Sequence, residues 1–238
     1  MSELTSHIVS GYDDDLNMIS SFLAEMGGIV ESMVTDAMKA IKTGNHDLAN
    51  SVIKRDASVN ALQNKVDESA VRLVALRHPM AADLRAVIGS IKIATDLERV
   101  GDLAEGIARR VLIPHDIDQL PLSKGVPRMG KLVKTQLKDS LDGLLQLDPI
   151  KSLNVWLADE EVDEMYNSLF RELLTYMMED PRTISSNAGL LFAAKNLERI
   201  GDHATNIAES VYFIVEGTPL TREIAISRTE GNASGESA

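Results

Sequence analysis

The sequence predicts an all-α protein built as two tandem, antiparallel three-helix bundles that are related by an internal duplication. Apolar residues recur every three or four positions in six long segments, which is the spacing of an amphipathic helix. Residues 96–102 and 196–202 are near copies, and both lie late in such a segment. Only 4% of the residues are aromatic. Aliphatic side chains and methionine must therefore fill the core, which favours packed helices over a sheet.

Capping residues and prolines mark the helix ends. Gly44 follows the first helix in a C-cap position. Asp148-Pro149 and Asp180-Pro181 each read as an N-cap followed by proline at the first helical position. No proline falls inside a predicted helix, where it would remove a hydrogen bond. The predicted helices cover approximately residues 19–41, 47–77, 80–113, 128–147, 149–179 and 181–216.

The six helices divide into two sets of three. Very short turns join most neighbours within a set, so these helices must run antiparallel. Gly27 and Gly28 lie inside the first helix, where they favour a close approach of a second helix over a hinge. The predicted domains are a first bundle at 1–113, a linker at 114–127, a second bundle at 128–217 and a flexible tail at 218–238.

Composition excludes several classes of function. The net charge of −12 argues against a broad nucleic-acid surface and against docking on anionic lipid. The chain has no cysteine, which rules out disulfides, thiolate metal sites and a thiol nucleophile. The longest apolar run, residues 188–194, is too short to span a bilayer. We therefore expect a cytoplasmic protein without direct membrane insertion.

Pairs of acidic residues at helical spacing are the main candidate functional feature. Glu and Asp four positions apart share one face of a helix and repel each other, so a cation should lie beside them. The fifth helix carries such a pair, and its counterpart in the second helix has asparagine in place of one acid. The pairs are Glu98 with Asp102, Glu198 with Asp202, Asp159 with Asp163, and Asp56 with Asn60.

Antiparallel hairpins could bring these pairs together into two clusters. The first would hold Asp56, Glu98 and Asp102, and the second Asp159, Asp163, Glu198 and Asp202. Four oxygens from two helices can ligate Mg²⁺, Mn²⁺ or iron. Asn60 is neutral, so the first cluster should bind a cation more weakly. The alternative is an acidic face that is solvated or paired with Arg99 and Arg199.

The histidines and loops argue against an enzyme. No histidine stands three residues after a glutamate, so the Glu-x-x-His signature of di-iron bundles is absent. His203 points to a different face from Asp202 and is expected at the surface or behind the ligands. The chain also has no phosphate-binding glycine-rich loop and no nucleophile elbow.

The chain resembles the PhoU family of phosphate transport accessory and regulatory proteins. The resemblance runs from the first helix to about Gly217 and rests on five segments. These are residues 26–31, 77–79 with 83–85, 97–102, 175–182 and 197–202.

The resemblance implies a cytoplasmic protein of two three-helix bundles, often a homodimer, that represses the phosphate-starvation response. Such proteins link the ATPase subunit of the phosphate ABC transporter to a sensor histidine kinase. Family members can carry metal clusters on paired acidic motifs, which correspond here to Glu98/Asp102, Glu198/Asp202 and Asp159/Asp163. Asp56 fits the pattern and Asn60 departs from it.

Three hypotheses follow. The leading one is a non-enzymatic signalling adaptor that negatively regulates the phosphate response and modulates phosphate uptake. The second is a metal-dependent enzyme that uses the carboxylate clusters, which turnover of phosphoesters or peroxide would support. The third is a structural bundle whose acids are only ion-paired, which the metal content of protein purified without chelator would distinguish.

Overall fold

Six long α-helices make up most of the chain in the computed structural model. It describes residues 2–113, 125–225 and 227–228, with side chains from residue 12 onward, and its described part has no strand. The all-α prediction is confirmed. None of the described helices is long and apolar enough to cross a membrane. The helices are α1 (Ser2–Thr43), α2 (His46–Arg77), α3 (Ala82–Val111), α4 (Gly125–Gln146), α5 (Pro149–Glu179) and α6 (Ile184–Glu216).

Local capping explains where these helices begin. Asn45 caps α2, and its side chain accepts a hydrogen bond of 2.9 Å from the amide of Leu48. Asp148 caps α5 by accepting bonds of 2.8 and 3.1 Å from the amides of residues 150 and 151. These bonds satisfy amides that have no partner within the helix. The N-cap predicted from Asp148-Pro149 is therefore confirmed.

The first helix begins at Ser2, well before the predicted residue 19, and Tyr12 and Leu16 in this added part pack against the core.

Two further predicted helix starts differ from the structure. Pro127 was expected in the linker but lies within the first turn of α4, where a missing N–H costs nothing because that amide has no helical acceptor. The sixth helix begins at Ile184 rather than Pro181, behind a 3-10 turn at Pro181–Thr183. Asp180 caps that turn by accepting a bond from the amide of Arg182. The predicted linker residues 114–124 lie outside the described residues.

The two sets of three helices share one core. Within each set every helix contacts the other two, and α3 also packs on α6 while α1 packs on α4. Asp96 faces His203 and Leu103 faces Asn196, so α3 and α6 run antiparallel. A single cluster of buried apolar side chains extends through all six helices. Because α3 is apolar on two sides, it can pack both against α1 and α2 of its own set and against α6 of the other set.

Close helix contacts explain one of the two adjacent glycines in α1. A methyl group built on Gly27 would lie 2.7 Å from Leu141 Cδ2 on α4, whereas one built on Gly28 would meet nothing within 4 Å. Gly130 on α4 has the equivalent contact with Met38 of α1, at 2.5 Å from its methyl carbon. The predicted close approach is thus found at Gly27, and α1 and α4 exchange equivalent contacts.

This difference between neighbouring glycines predicts opposite effects of the same substitution. Gly28→Ala should raise the free energy of unfolding by about 1 kcal/mol, because alanine has the higher helix propensity. Gly27→Ala should leave it at or below the parent value, because overpacking against Leu141 costs ~1–3 kcal/mol. Urea unfolding of both variants measures the effect. Equal stabilisation by the two substitutions would show that the Leu141 side chain can move aside without a measurable cost.

The segment after α6 differs from the predicted flexible tail in its described part. Gly217 has a left-handed backbone (φ 74°) that ends α6 and turns the chain back. Leu220 and Ala225 are then buried against Leu153 and Tyr212 in a small separate cluster. The apolar side chains at these positions, rather than the polar composition of the segment, decide its placement. Residues 229–238 of the predicted tail lie outside the described residues.

Candidate metal centre

The glycine of each repeated motif faces a neighbouring helix, and the contact is tight at the second motif and of ordinary length at the first. A methyl group on Gly201 would lie 3.0 Å from Gln136 Oε1 and 3.2 Å from Val162 Cγ1. At Gly101, the nearest atom would be Asp56 Oδ1 at 3.5 Å. These crossings bring the acids of α2 beside the motif on α3 and the acids of α5 beside the motif on α6. The sequence showed the repeated glycine, but the reason for it depends on the neighbouring helices.

Three of the four predicted acids of the second cluster converge. Asp163, Glu198 and Asp202 each offer one carboxylate oxygen, and these oxygens all lie within 4.8 Å of one another. The Glu198 side chain is only 13% exposed. Its Oε2 is buried without a hydrogen-bond partner among the described residues. A buried acceptor of this kind carries a desolvation cost that a cation could offset.

The fourth acid, Asp159, lies at the edge of this group and is held by neutral donors. Its Oδ1 accepts hydrogen bonds of 3.0 Å from Gln136 Nε2 and 3.0 Å from Thr205 Oγ1. It is not one of the three convergent acids. Its charge nevertheless contributes to raising the pKa of Asp202. Asp159 therefore lies next to the three convergent acids, but its Oδ1 is already hydrogen-bonded to Gln136 and Thr205.

Burial and the repulsion of neighbouring acids make two acids of the second cluster, Asp163 and Asp202, harder to ionise. Burial raises the pKa of Asp163, and the charges of Asp159 and Glu198 raise it further. Burial also raises the pKa of Asp202, with contributions from the same neighbours. Raised carboxyl pKa values in a convergent group are the electrostatic sign of a site that lacks sufficient positive charge.

One lysine supplies part of that positive charge. Lys195 Nζ lies 2.6 Å from Glu198 Oε1 and 5.1 Å from the centre of the Tyr166 ring. The hydrogen bond to Glu198 raises the pKa of Lys195. Within the described chain, Lys195 rather than the expected Arg199 is therefore the ion-pair partner of this cluster. Lys195 lies one turn before Glu198 and outside the repeated motif at 196–202, so the motif alone does not indicate it.

The acids of the first cluster lie less close together, and more of their oxygens already have a partner in the protein. Arg99 contacts both acids of its own helix, with Nε 3.5 Å from Glu98 Oε2 and Nη1 3.3 Å from Asp102 Oδ2. Asn60 Nδ2 donates to Asp56 Oδ2 at 2.9 Å. Among the described residues, no three acids here meet the spacing found in the second cluster. The expected pairing with Arg99 is thus present in this half.

The acids of the first cluster still affect one another. Burial raises the pKa of Asp56, followed by the charges of Asp102 and Glu105. Burial likewise raises the pKa of Glu98, with Asp102 adding to the shift and Arg99 opposing it. Asp56 Oδ1 is buried without a hydrogen-bond partner among the described residues. Asp56 therefore lies near the acids of α3, as predicted, but these carboxylates are less closely spaced than those of the second cluster.

His203 has a structural position that the sequence did not reveal. Its Nδ1 lies 2.9 Å from Asp96 Oδ1, and both side chains are more than four-fifths buried. Asn206 Nδ2 approaches the same oxygen at 3.4 Å. His203 therefore joins α6 to α3 rather than lying free at the surface. The face that it occupies was predicted, but its partner on the other set of helices was not.

A groove opens from the second cluster to solvent. It has a volume of about 680 Å³, and the acids Asp159, Asp163 and Asp202 lie along it. Trp156 also lines this groove, and its Nε1 donates to Glu209 Oε1 at 3.0 Å. All-oxygen donors, an unpartnered buried carboxylate oxygen and an open path suit a hard divalent cation such as Mg²⁺ or Mn²⁺.

The comparisons with known proteins agree with the duplication and the fold. Residues 23–111 and 126–211 each match the PhoU domain. The chain belongs to the PhoU family. Each matched segment contains one carboxylate cluster, so the internal duplication predicted from the repeated motif is confirmed.

Individual relatives match over nearly the whole chain. A phosphate-specific transport system accessory protein PhoU homolog from Caulobacter vibrioides is 48% identical over 221 residues, covering 92% of this chain and 96% of the relative. The crystal structure of PhoU from Pseudomonas aeruginosa matches with a TM-score of 0.83 and 40% identity, covering 87% of this chain and 100% of that chain. PhoU from Streptococcus pneumoniae matches at a TM-score of 0.82 and 28% identity, covering 88% and 99%.

Proposed function

We propose that this protein is an accessory protein of a phosphate-specific transport system and a negative regulator of the phosphate-starvation response. The observation that supports this proposal is the 48% identity, over 92% of the chain, to a relative described as such an accessory protein. The proposed activity is non-enzymatic. The protein would act by binding its partners and favouring one of their conformational states.

Its proposed partners are the ATPase subunit of the phosphate ABC transporter and the sensor histidine kinase of the phosphate response, and the protein is proposed to be a homodimer in the cytoplasm. By binding both partners, it would hold the kinase in its repressing state while the transporter is active. Such coupling requires that the adaptor bind the two states of the kinase with different affinity.

Deleting the gene is expected to switch on an alkaline phosphatase reporter of the phosphate response in phosphate-rich medium. The reason is that the kinase would lose the contact that holds it in the repressing state. Supplying the full chain from a plasmid should switch the reporter off again, which controls for effects on neighbouring genes. If the reporter stays off in the deletion strain, the regulatory proposal fails.

The carboxylate clusters are proposed to be metal sites of this adaptor. In the second cluster, Asp163, Glu198 and Asp202 would bind Mg²⁺, Mn²⁺ or iron, with Asp159 beside them. The first cluster, with Asp56, Glu98 and Asp102, would bind more weakly, because Asn60 and Arg99 already engage one oxygen of each of these acids. A bound cation would supply positive charge that relieves repulsion between the acids. It would thereby hold α5 and α6 together, and α2 and α3 likewise.

A further inference from the structure

A buried polar network lies behind the second cluster and joins three helices. Gln136 on α4 is only 4% exposed, although it sits among the apolar residues of the core. Its Nε2 donates to Asp159 Oδ1 on α5 and to Thr205 Oγ1 on α6, at 3.0 and 3.1 Å. Thr205, at 7% exposed, donates in turn to the same Asp159 oxygen. Burying an amide is costly unless it is hydrogen-bonded, so its presence here calls for a reason.

We infer that Gln136 and Thr205 are positioning residues that fix Asp159 at the edge of the second cluster, with its Oδ2 as the ligand atom open to a cation. This inference rests on the proposed metal site. Both donors bind Oδ1, and no described residue donates to Oδ2. The carboxylate is therefore held in one conformation with one oxygen uncommitted. Asp159 and Thr205 both line the groove that reaches Asp163 and Asp202, so this oxygen and the convergent acids share one access path.

The first half of the protein lacks this arrangement, which makes it an internal contrast. The reciprocal contacts of Gly27 with Leu141 and of Gly130 with Met38 relate equivalent positions of the two repeats, and the same offset makes Met33 the counterpart of Gln136. The repeated motif likewise makes Glu105 the counterpart of Thr205. Methionine and an ionised glutamate cannot donate a hydrogen bond. Glu105 instead pairs with Arg109 at 2.6 Å.

The consequence of the contrast is visible at Asp56, the counterpart of Asp159. Its Oδ1 is buried without a donor among the described residues. Its Oδ2 accepts a bond from Asn60 on the same helix. Among the described residues of the other two helices of the set, none orients this carboxylate by a hydrogen bond. Only the second cluster is therefore preorganised, and preorganisation lowers the conformational cost of binding.

Mn²⁺ binding to variants of Gln136 and Thr205 tests the inference. The titration uses the full chain with the first cluster disabled by Glu98→Gln and Asp102→Asn, and free Mn²⁺ is read from its electron paramagnetic resonance signal. Loss of a residue that orients a metal ligand typically weakens binding about 10–100-fold. We expect Thr205→Val and Gln136→Met to weaken Mn²⁺ binding within this range. Thr205→Ser keeps the donor and should bind as the parent does.

A double-variant comparison separates positioning from general destabilisation. If Thr205 acts through Asp159, then Thr205→Val should cause no further loss of affinity in a protein that already carries Asp159→Asn. A purely structural effect would lower the unfolding midpoint in chelator and reduce affinity to the same degree with or without Asp159→Asn. If Gln136→Met does not fold, the comparison of Thr205→Val with Thr205→Ser decides the question.

Each outcome bears on a different proposal. If the parent binds Mn²⁺ and Thr205→Val binds it with the same affinity as Thr205→Ser, the positioning inference is wrong while the metal site stands. If the parent with an intact second cluster binds no Mn²⁺, both the metal site and the inference fail. Neither result affects the regulatory proposal, which the reporter assay tests separately.

Discussion

Replacing Glu198 by Gln together with Asp202 by Asn is expected to remove most of the thermal stabilisation that Mn²⁺ gives this protein. Replacing Glu98 and Asp102 in the same way should remove less. The second cluster has three carboxylate oxygens within 4.8 Å of one another and a fourth acid beside them. The first has a neutral amide in place of one acid and an arginine already bound to two others. More ligand charge favours tighter binding of a hard cation.

The size of the expected effect follows from mass action. A cation present at 100 times its dissociation constant stabilises the folded state by about 2.7 kcal/mol. For a chain of 238 residues, this corresponds to a rise of roughly 5–10 °C in the unfolding midpoint. Differential scanning calorimetry of the parent and both double variants, in chelator and in Mn²⁺, measures the difference. Equal losses from the two double variants, or no stabilisation of the parent by any divalent ion, would favour acids that are only ion-paired.

Features set by local sequence were predictable. The N-cap at Asp148 depends only on the residues that follow it directly in the chain. Its side chain accepts the expected hydrogen bonds from the amides of residues 150 and 151. The convergence of Asp163 with Glu198 and Asp202 followed from helical spacing and a short turn between the two helices. Both predictions rest on periodicity and chain connection, which are properties of one helix or one hairpin.

Features set by the meeting of distant helices were not predictable from spacing. The antiparallel pairing of α3 with α6 places Asp96 against His203, but a helical wheel gives the faces of one helix and not the helix opposite. Gln136 gave no signal as a ligand-supporting residue, because a single glutamine in an amphipathic helix is ordinary. The available clue was its place on the apolar face of α4, between the buried Val133 and Leu137.

Composition was a poor guide to the end of the chain. The segment after Gly217 is polar overall, so a flexible tail was expected from residue 218. Leu220 and Ala225 are nevertheless buried against α5 and α6. Two apolar side chains at a suitable spacing were enough to place the described part of this segment. Averages over a window conceal such pairs, because burial depends on individual side chains.

Without metal, the second cluster is expected to make the protein less stable as the pH rises from about 4 towards 7. Asp163 and Asp202 have an ordinary pKa of 3.8, and burial and neighbouring acids raise it in the folded state. The folded protein therefore binds these protons more tightly than the unfolded chain does. The resulting stabilisation is fully present below the ordinary pKa and is lost as the pH rises through the raised one.

Urea unfolding in chelator, compared between the parent and a variant carrying Asp163→Asn and Asp202→Asn, measures this contribution. The variant should differ least from the parent near pH 4 and should become progressively more stable than the parent towards pH 7, because its amides cannot ionise. Asp180→Asn provides a control of opposite sign. Its hydrogen bonds to Arg182 lower the pKa of Asp180, so the stability that it contributes is present at neutral pH and is lost as the pH falls. If the Asp163/Asp202 variant gains nothing over the parent at neutral pH, the acids of the second cluster do not repel strongly enough to require a cation.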